Sequence, residues 1–459
     1  MEQKTSMNNH PPKMNSKQKL ILFPFPYQGH ITPMLHLANK LSTKSFSITI
    51  IQTRFNSLDP TRFPNFTFHL IQDDIPPNSQ VSSDNLVESM SASQLRIHCR
   101  EPFRECLGRI LDDVNAQEER VCCLIYDPAW PFAGFVAESF KLPKIVLRTS
   151  SVSAFVVNDC LPLLRDKGCF LPGVKPEEPI DEIPPLKVRD LPEEEHHDIL
   201  AAVVKQTKAS DGVICNTFEE LESSSISKVR KILSTVPVFP IGPMHKYSAP
   251  STTSIWAQDE SSISWLNTKA PGSVLYVSFG SVVSMEKSEF LEIAWGLANS
   301  KQSFLWVVRS GLSRGSEASD LFPEGYLEIV SDRGHIVKWA PQLEVLAHPA
   351  VGGFFTHSGW NSTVESISEG VPMICLPFLV DQAMNARYVS EVWKIGVLLE
   401  DGIRRDDIER GIRKLMVEVD CEEMRSRAMA LKECAMKSCT EGGSSYESLE
   451  ALARYISSL

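Results

Sequence analysis

The residues best placed by type and spacing to do chemistry lie between Trp339 and Gln382. The stretch holds Trp339-Ala340-Pro341-Gln342, then Thr356-His357-Ser358-Gly359-Trp360-Asn361-Ser362, then Glu365, and ends on Asp381-Gln382. The apolar run Gly353–Thr356 predicts a strand and Asn361 or Ser362 a helix start, which leaves His357 to Gly359 as a strand-to-helix turn. The first N–H groups of a helix lack intrahelical partners and sit at the positive end of its dipole, so the turn presents donors to an anion. With the Asn361 amide, the Ser362 hydroxyl and His357 beside it, it can hold a diphosphate without a lysine. One turn on, Glu365 can accept both hydroxyls of a ribose, and Trp339 offers a flat ring for a base. Asp381 and Gln382 supply the acceptors and donors that sugar hydroxyls need. A capped helix with packed His and Trp explains any one of these residues equally well. Taken together they read as a nucleotide-sugar site.

A second set lies in the first third of the chain. His30 closes the run Phe23-Pro24-Phe25-Pro26-Tyr27-Gln28-Gly29-His30, after the strand pattern Leu20–Phe23. A neutral imidazole near pH 7 can take a proton from a hydroxyl. Asp127 follows the apolar run Val121–Tyr126 and precedes Pro128, where it can hold the other ring N–H. Alone, a histidine in such a turn is more often a packing residue and a strand-end aspartate a cap. Both, however, sit at carboxyl ends of parallel strands, where side chains converge. Thr149, after Lys144–Leu147, and Ser281, after Val274–Phe279, occupy similar ends and could serve a sugar and a phosphate respectively, or simply cap their turns.

These residues need a scaffold of short strands and longer helices. A chain of 459 residues with 42% apolar composition exceeds what one core usually organises, so two domains are expected. In the first half, strand patterns at Leu20–Phe23, Phe46–Gln52, Val121–Tyr126 and Lys144–Leu147 alternate with helical spacings, the first being a Pro/Gly turn through His30 and a helix over Pro33–Leu41. A Pro, Ser and Thr-rich stretch follows, and then Val274–Phe279, Phe304–Val308, His335–Lys338, Gly353–Thr356 and Met373–Leu376 repeat the theme. The fold class is α/β, two Rossmann-like doubly wound domains facing a cleft. The expected division is a disordered extension over 1–18, a first domain over 19–242, a linker over 243–260, a second domain over 261–440, and a C-terminal helix over 441–459 able to pack back on the first domain.

The formal charge of −11, without any dense Lys/Arg block, excludes nucleic acid as an expected partner. The first residues lack the apolar core of a secretory signal, and the longest apolar runs fall far short of a membrane span. Eleven cysteines, an odd number without a Cys-x-x-Cys, fit reduced thiols in a soluble cytoplasmic monomer. His196-His197 has no accompanying ligand cluster, and no Asp-x-Asp occurs, so no metal is expected. The first turn lacks Gly-x-Gly-x-x-Gly, which disfavours a dinucleotide dehydrogenase.

The 44 residues from Trp339 to Gln382 resemble, over its full span, the signature box of plant secondary-product UDP-glycosyltransferases. The resemblance extends from the Phe23–His30 run to Gly442-Gly443-Ser444-Ser445. It implies the two-domain GT-B fold, with the donor mainly on the C-terminal half and the acceptor mainly on the N-terminal half. His30 matches the family's catalytic base and Asp127 its orienting acid. Trp339, Ala340, Gln342, His357, Trp360, Asn361, Ser362, Glu365, Asp381 and Gln382 match the donor site, with Thr149 and Ser281 as further donor contacts. The implied reaction is inverting transfer from UDP-glucose, a substrate rather than a cofactor, giving a β-glucoside. The implied acceptor is a small lipophilic hydroxyl, carboxyl or amine of the flavonoid, terpenoid, hormone or indole/benzoxazinoid class, held by segments 73–100 and 152–200. Trp360, Asp381 and Gln382 follow the glucose-preferring pattern; galactose-preferring relatives carry His in place of this Gln. A sugar-nucleotide epimerase or a non-catalytic UDP-sugar-binding protein could share the fold, but the His30 and Asp127 pair favours transfer.

Overall fold

The computed structural model describes residues 18–72, 92–116, 119–247, 259–313, 321–418 and 420–459. The first sheet contains β1 (Lys19–Phe23), β2 (Ser47–Thr53), β3 (Phe66–Ile71), β4 (Val121–Tyr126), β5 (Lys144–Arg148), β6 (Gly212–Cys215) and β7 (Val238–Pro240), in the order β3-β2-β1-β4-β5-β6-β7. The second contains β8 (Val274–Ser278), β9 (Ser303–Val307), β10 (Gly334–Val337), β11 (Val351–Thr356), β12 (Met373–Cys375) and β13 (Gly396–Leu398), in the order β10-β9-β8-β11-β12-β13. Every strand pair is parallel. Two parallel-sheet α/β domains therefore make up the chain.

Strands covered on both faces must be apolar throughout, which is why they read as short unbroken runs. Along β1, Leu20 and Leu22 face the Gln28–Ser42 helix, while Ile21 and Phe23 face Phe103 and Leu107 of the Arg100–Ala116 helix. In β8, Val274 and Tyr276 enter one core cluster and Leu275 and Val277 the other. The C-terminal helix Ser444–Ser458 returns to the first sheet, where Leu449, Leu452 and Ile456 join the cluster of Leu20, Leu22 and Ile145.

In each sheet the strand order reverses once, between β1 and β4 in the first and between β8 and β11 in the second. At such a reversal the connecting helices leave to opposite faces and open a crevice beyond the carboxyl ends of the two strands. His30 follows β1 and Asp127 follows β4; Ser281 follows β8 and His357 follows β11.

Two local expectations change. The first helix begins at Gln28, so His30 lies in its first turn and not in a loop, and Pro33 is inside the helix. The expected linker starts as packed structure: Met244–Tyr247 is a short 3-10 helix with Met244 and His245 buried. Residues 1–17 of the extension, 248–258 of the linker and 73–91 of the acceptor segments lie outside the described residues. Among the described residues no helix is long and apolar enough to cross a membrane. All eleven cysteines are free thiols.

Candidate active site

The two crevices face each other across one cavity of about 550 Å³, and all fourteen residues singled out from the sequence line it. That volume suits a small-molecule site.

On the first-domain wall, His30 Nδ1 lies 2.6 Å from Asp127 Oδ2. The other carboxylate oxygen of Asp127 accepts the Ala129 N–H at 2.9 Å, which locks the acid in place. With Nδ1–H given to Asp127, Nε2 is the nitrogen left to accept a proton. Burial disfavours the imidazolium, but the Asp127 charge and hydrogen bond outweigh burial, with Asp381 adding to them, and hold the His30 pKa above its ordinary value. Thr149 Oγ1 stands 3.1 Å from the same Nδ1. The expectation was a hydroxyl free for the sugar; here it also supports His30, with the rest of its hydrogen-bonding capacity left for the cavity.

The second-domain wall is built around the Trp360–Glu369 helix, capped by Gly359. His357 is wedged between two glycines. A Cβ on Gly280 would stand 2.7 Å from its ring and one on Gly359 2.5 Å from Nε2, and Gly280 also has φ of +72°. Burial, together with the nearby Arg309, depresses the His357 pKa to about 4. At neutral pH it therefore offers a hydrogen bond and not the positive charge its type first implied. Gln342 ties the wall together: its Nε2 donates to Ser362 Oγ at 3.0 Å and to Glu365 Oε2 at 2.7 Å, while Tyr276 donates to its Oε1 at 3.2 Å. Burial pushes Glu365 up to about 7, so a diol donating two hydrogen bonds would restore its charged form. Ala340 is buried, and Trp339 and Ser281 are partly exposed at the rim.

Three polar side chains are less free than their types implied. Asn361 Nδ2 donates to Gly29 O at 2.7 Å, across the domain boundary. That carbonyl is available because its normal helical partner would be the N–H of Pro33, which proline lacks. Asn361 thus joins the helix carrying His30 to the helix facing the cavity, with one amide hydrogen left over. Trp360 is 3% exposed and its indole N–H donates to Asn216 O at 2.9 Å, so it has no polar handle for a sugar. Gln382 Oε1 accepts the Phe378 and Leu379 N–H groups at 2.8 and 2.9 Å. It can only donate to a sugar, not donate and accept together. Asp381 keeps its acceptor role, weakly held by Asn385 Nδ2 at 3.4 Å. Burial raises its carboxyl above the usual range, against the opposing pull of Asn385, His30 and Arg148.

Other residues at the site escaped the sequence reading. Buried Arg309 donates to the carbonyls of Gly280 and Ser310 at 2.9 and 3.0 Å and to that of Val283, holding the loop after β8. Asn216 receives the Trp360 indole on its carbonyl and gives its amide to Asn361 at 3.4 Å. Both have a sequence signal, a polar residue within a position or two of a buried strand's end. The His196-His197 pair does not act together. His197 is buried against Pro192 O and Arg165, whereas His196 lines the main cavity. Glu193, Glu195 and His196 bring ligand atoms within 4.8 Å of one another, with both acids exposed, an ordinary surface arrangement.

Comparison with known proteins decides the family. Residues 17–246 match the model described as "Glycosyltransferase, N-terminal domain", and residues 239–433 match "UDP-glucoronosyl and UDP-glucosyl transferase". UDP-glycosyltransferase 76G1 of Stevia rebaudiana is 45% identical over 100% of both chains. The chain belongs to the UDP-glycosyltransferase family. UDP-glycosyltransferase 76B1 of Arabidopsis thaliana is 44% identical, covering 96% of this chain and 98% of its own. Among solved structures, Phytolacca americana UGT2 complexed with UDP-2fluoro-glucose and pterostilbene superposes with a TM-score of 0.79 at 27% identity, over 96% of this chain and 100% of that one. UDP-glucose: anthocyanidin 3-O-glucosyltransferase in complex with UDP gives 0.82 at 27%, over 97% and 100%. This UDP-glycosyltransferase thus shares the GT-B fold of the plant enzymes along nearly its whole length.

Proposed function

We propose that this glycosyltransferase moves glucose from UDP-glucose to a hydroxyl, carboxyl or amine of a small lipophilic molecule, with inversion, giving a β-glucoside and UDP. The observation that carries the reading is the 2.6 Å His30 and Asp127 pair on one wall of a cavity whose other wall is the Gly359-capped helix end. His30 Nε2 takes the acceptor proton while the acceptor oxygen attacks the anomeric carbon from the face opposite the diphosphate. The bond from that carbon to the β-phosphate oxygen breaks, and its electron pair leaves with UDP. Asp127 keeps Nδ1–H in place and stabilises the imidazolium that forms. Developing charge on the phosphates meets the N–H groups of the Trp360–Glu369 helix, the Ser362 hydroxyl and the His357 ring, which supply the donors without a cofactor. The UDP-2fluoro-glucose and pterostilbene held by the Phytolacca relative are a sugar nucleotide with a small molecule, the combination read here.

The test is NMR of the product formed from UDP-glucose and a phenol, with and without EDTA. A β-linked glucoside is expected, at a rate that EDTA changes by less than about two-fold, since protein donors face the diphosphate. An α-linkage, or an epimerised UDP-sugar released without acceptor, overturns the reaction. A rate that collapses in EDTA and returns with Mg²⁺ or Mn²⁺ overturns the diphosphate assignment.

A further inference from the structure

Arg96 lies in the helix Ala92–His98 and lines the main cavity. Two contacts tie it to the strand ends that carry His30 and Asp127. Its Nε donates to Ala129 O at 2.9 Å, and its guanidinium lies over the Phe25 ring at 5.4 Å. The Phe25 ring is itself 5.5 Å from the His30 ring, and the Arg96 charge is felt at His30, Tyr27 and Asp127. Yet among the described residues no carboxylate pairs with it. Asp127, the acid whose field it feels, has one oxygen on His30 and the other on the Ala129 N–H. The same cavity is lined by the apolar side chains of Phe25, Ile199, Leu200 and Val203, and the Tyr27 phenol is kept neutral by burial. Arg148, the other arginine lining the cavity, gives its terminal nitrogens to Ser150 at 2.8 Å and Thr207 at 3.4 Å and stacks on Phe155. Among the described residues, Arg96 keeps both terminal nitrogens without a protein acceptor, whereas each terminal nitrogen of Arg148 has one.

We propose that the acceptor end is built for a small lipophilic acid, its carboxylate held by the Arg96 fork and its separate hydroxyl delivered to His30. The proposal rests on the transferase reading and narrows it. A guanidinium presents parallel N–H donors that match a carboxylate, and a charged acid enters an apolar cavity at tolerable cost only when paired there. The hydroxyl, not the carboxylate, is the nucleophile: its oxygen bonds to the anomeric carbon, its proton goes to His30, and UDP leaves.

The experiment measures kcat/KM with UDP-glucose for the three isomeric hydroxybenzoates, each beside its own methyl ester, in wild type, Arg96→Gln and Arg96→Lys. For at least one isomer the acid should exceed its ester by about ten-fold, with a glucoside on the phenol that survives mild alkali. Arg96→Gln should cut the acid-to-ester ratio by about ten-fold, mainly through KM of the acid, and Arg96→Lys should retain part of it. Unchanged UDP affinity reports that both variants are folded. Esters used as well as acids throughout, an acid-to-ester ratio unmoved by Arg96→Gln, or an alkali-labile acyl glucose as product overturns the acid site and leaves the transferase reading standing. No transfer to any acid or ester overturns the transferase reading itself.

Discussion

Asp127→Asn isolates what the buried carboxylate does for His30 while keeping the shape of the site. In the native protein the 2.6 Å contact fixes the Nδ1–H tautomer and supplies the charge that holds the His30 pKa up against burial. An asparagine would keep its oxygen on the Ala129 N–H, now held at 2.9 Å by Oδ1, and turn its amide nitrogen toward His30. The imidazole then accepts at Nδ1 and carries its proton on Nε2, where it faces the acceptor and cannot act as a base. A charge-assisted buried hydrogen bond is worth ~1.5–3 kcal/mol, about a ten- to hundred-and-fifty-fold change in rate, and the cost of the wrong tautomer adds to it. The expected loss in kcat/KM for a phenol is about 10²–10⁴-fold, with UDP affinity near wild type.

The pH profile carries the second half of this test. A base works unprotonated, so the acid limb of kcat/KM reports the His30 pKa in the free enzyme. In wild type that limb should lie above 6.5. Without the Asp127 charge, burial and Arg96 both push the pKa down, so the limb should move to lower pH even as the plateau falls. A variant within about three-fold of wild type, or a limb that stays put, would falsify the pairing of base and acid.

Two other outcomes follow from the same geometry. Because Gln382 can only donate, UDP-glucose should exceed UDP-galactose by about ten- to a hundred-fold in kcat/KM, the worth of one unsatisfied buried polar group. Gln382→His should lower glucose transfer without raising galactose transfer, since it also releases the Phe378 and Leu379 N–H groups, and a gain in galactose transfer refutes this. His36 is 2% exposed with neither ring nitrogen hydrogen-bonded among the described residues, and burial lowers its pKa from 6.5 to about 4. The unfolded chain binds the proton first, so its contribution is whole above about pH 6.5 and lost toward pH 4, up to about 3 kcal/mol. Urea denaturation of His36→Leu should show a shallower loss of stability over that window, and an unchanged slope counts against it.

The fold was legible because parallel strands covered on both faces must be runs of apolar residues, and the connections between them place polar residues at their carboxyl ends. His30, Asp127, Thr149, Ser281 and His357 all announced themselves that way. What could not be read was the use each polar group makes of its partners. Trp360 and Gln382 look like ligand contacts by type, yet the Asn216 carbonyl takes the Trp360 indole N–H and the Phe378 and Leu379 amides take the Gln382 oxygen, which leaves Gln382 only its amide N–H groups to offer. Such partners are set by the packing of distant segments, and no local pattern encodes them. Arg96 carried no signal at all, because its meaning depends on which described groups surround it in three dimensions.

The placement of His30 shows how a local irregularity becomes part of the site. A helix starting at Gln28 with any ordinary residue at position 33 would spend the Gly29 carbonyl on its own ladder. Pro33 leaves that carbonyl without its helical donor, and Asn361 takes it at 2.7 Å. Gly29, the residue before His30, is thereby bonded to the helix whose N-terminus lines the cavity, and Asn361 is steadied in turn by Asn216, which also receives the Trp360 indole. On the proposed mechanism, the separation between proton acceptor and leaving group is thus fixed by direct bonds across the cleft as well as by the packing of each domain. Since transfer requires the acceptor oxygen, the anomeric carbon and the leaving oxygen to lie in line, a slip of 1 Å between the walls would cost orders of magnitude in rate. A side-chain amide answering a missing backbone N–H holds that alignment without adding a charge to the cavity.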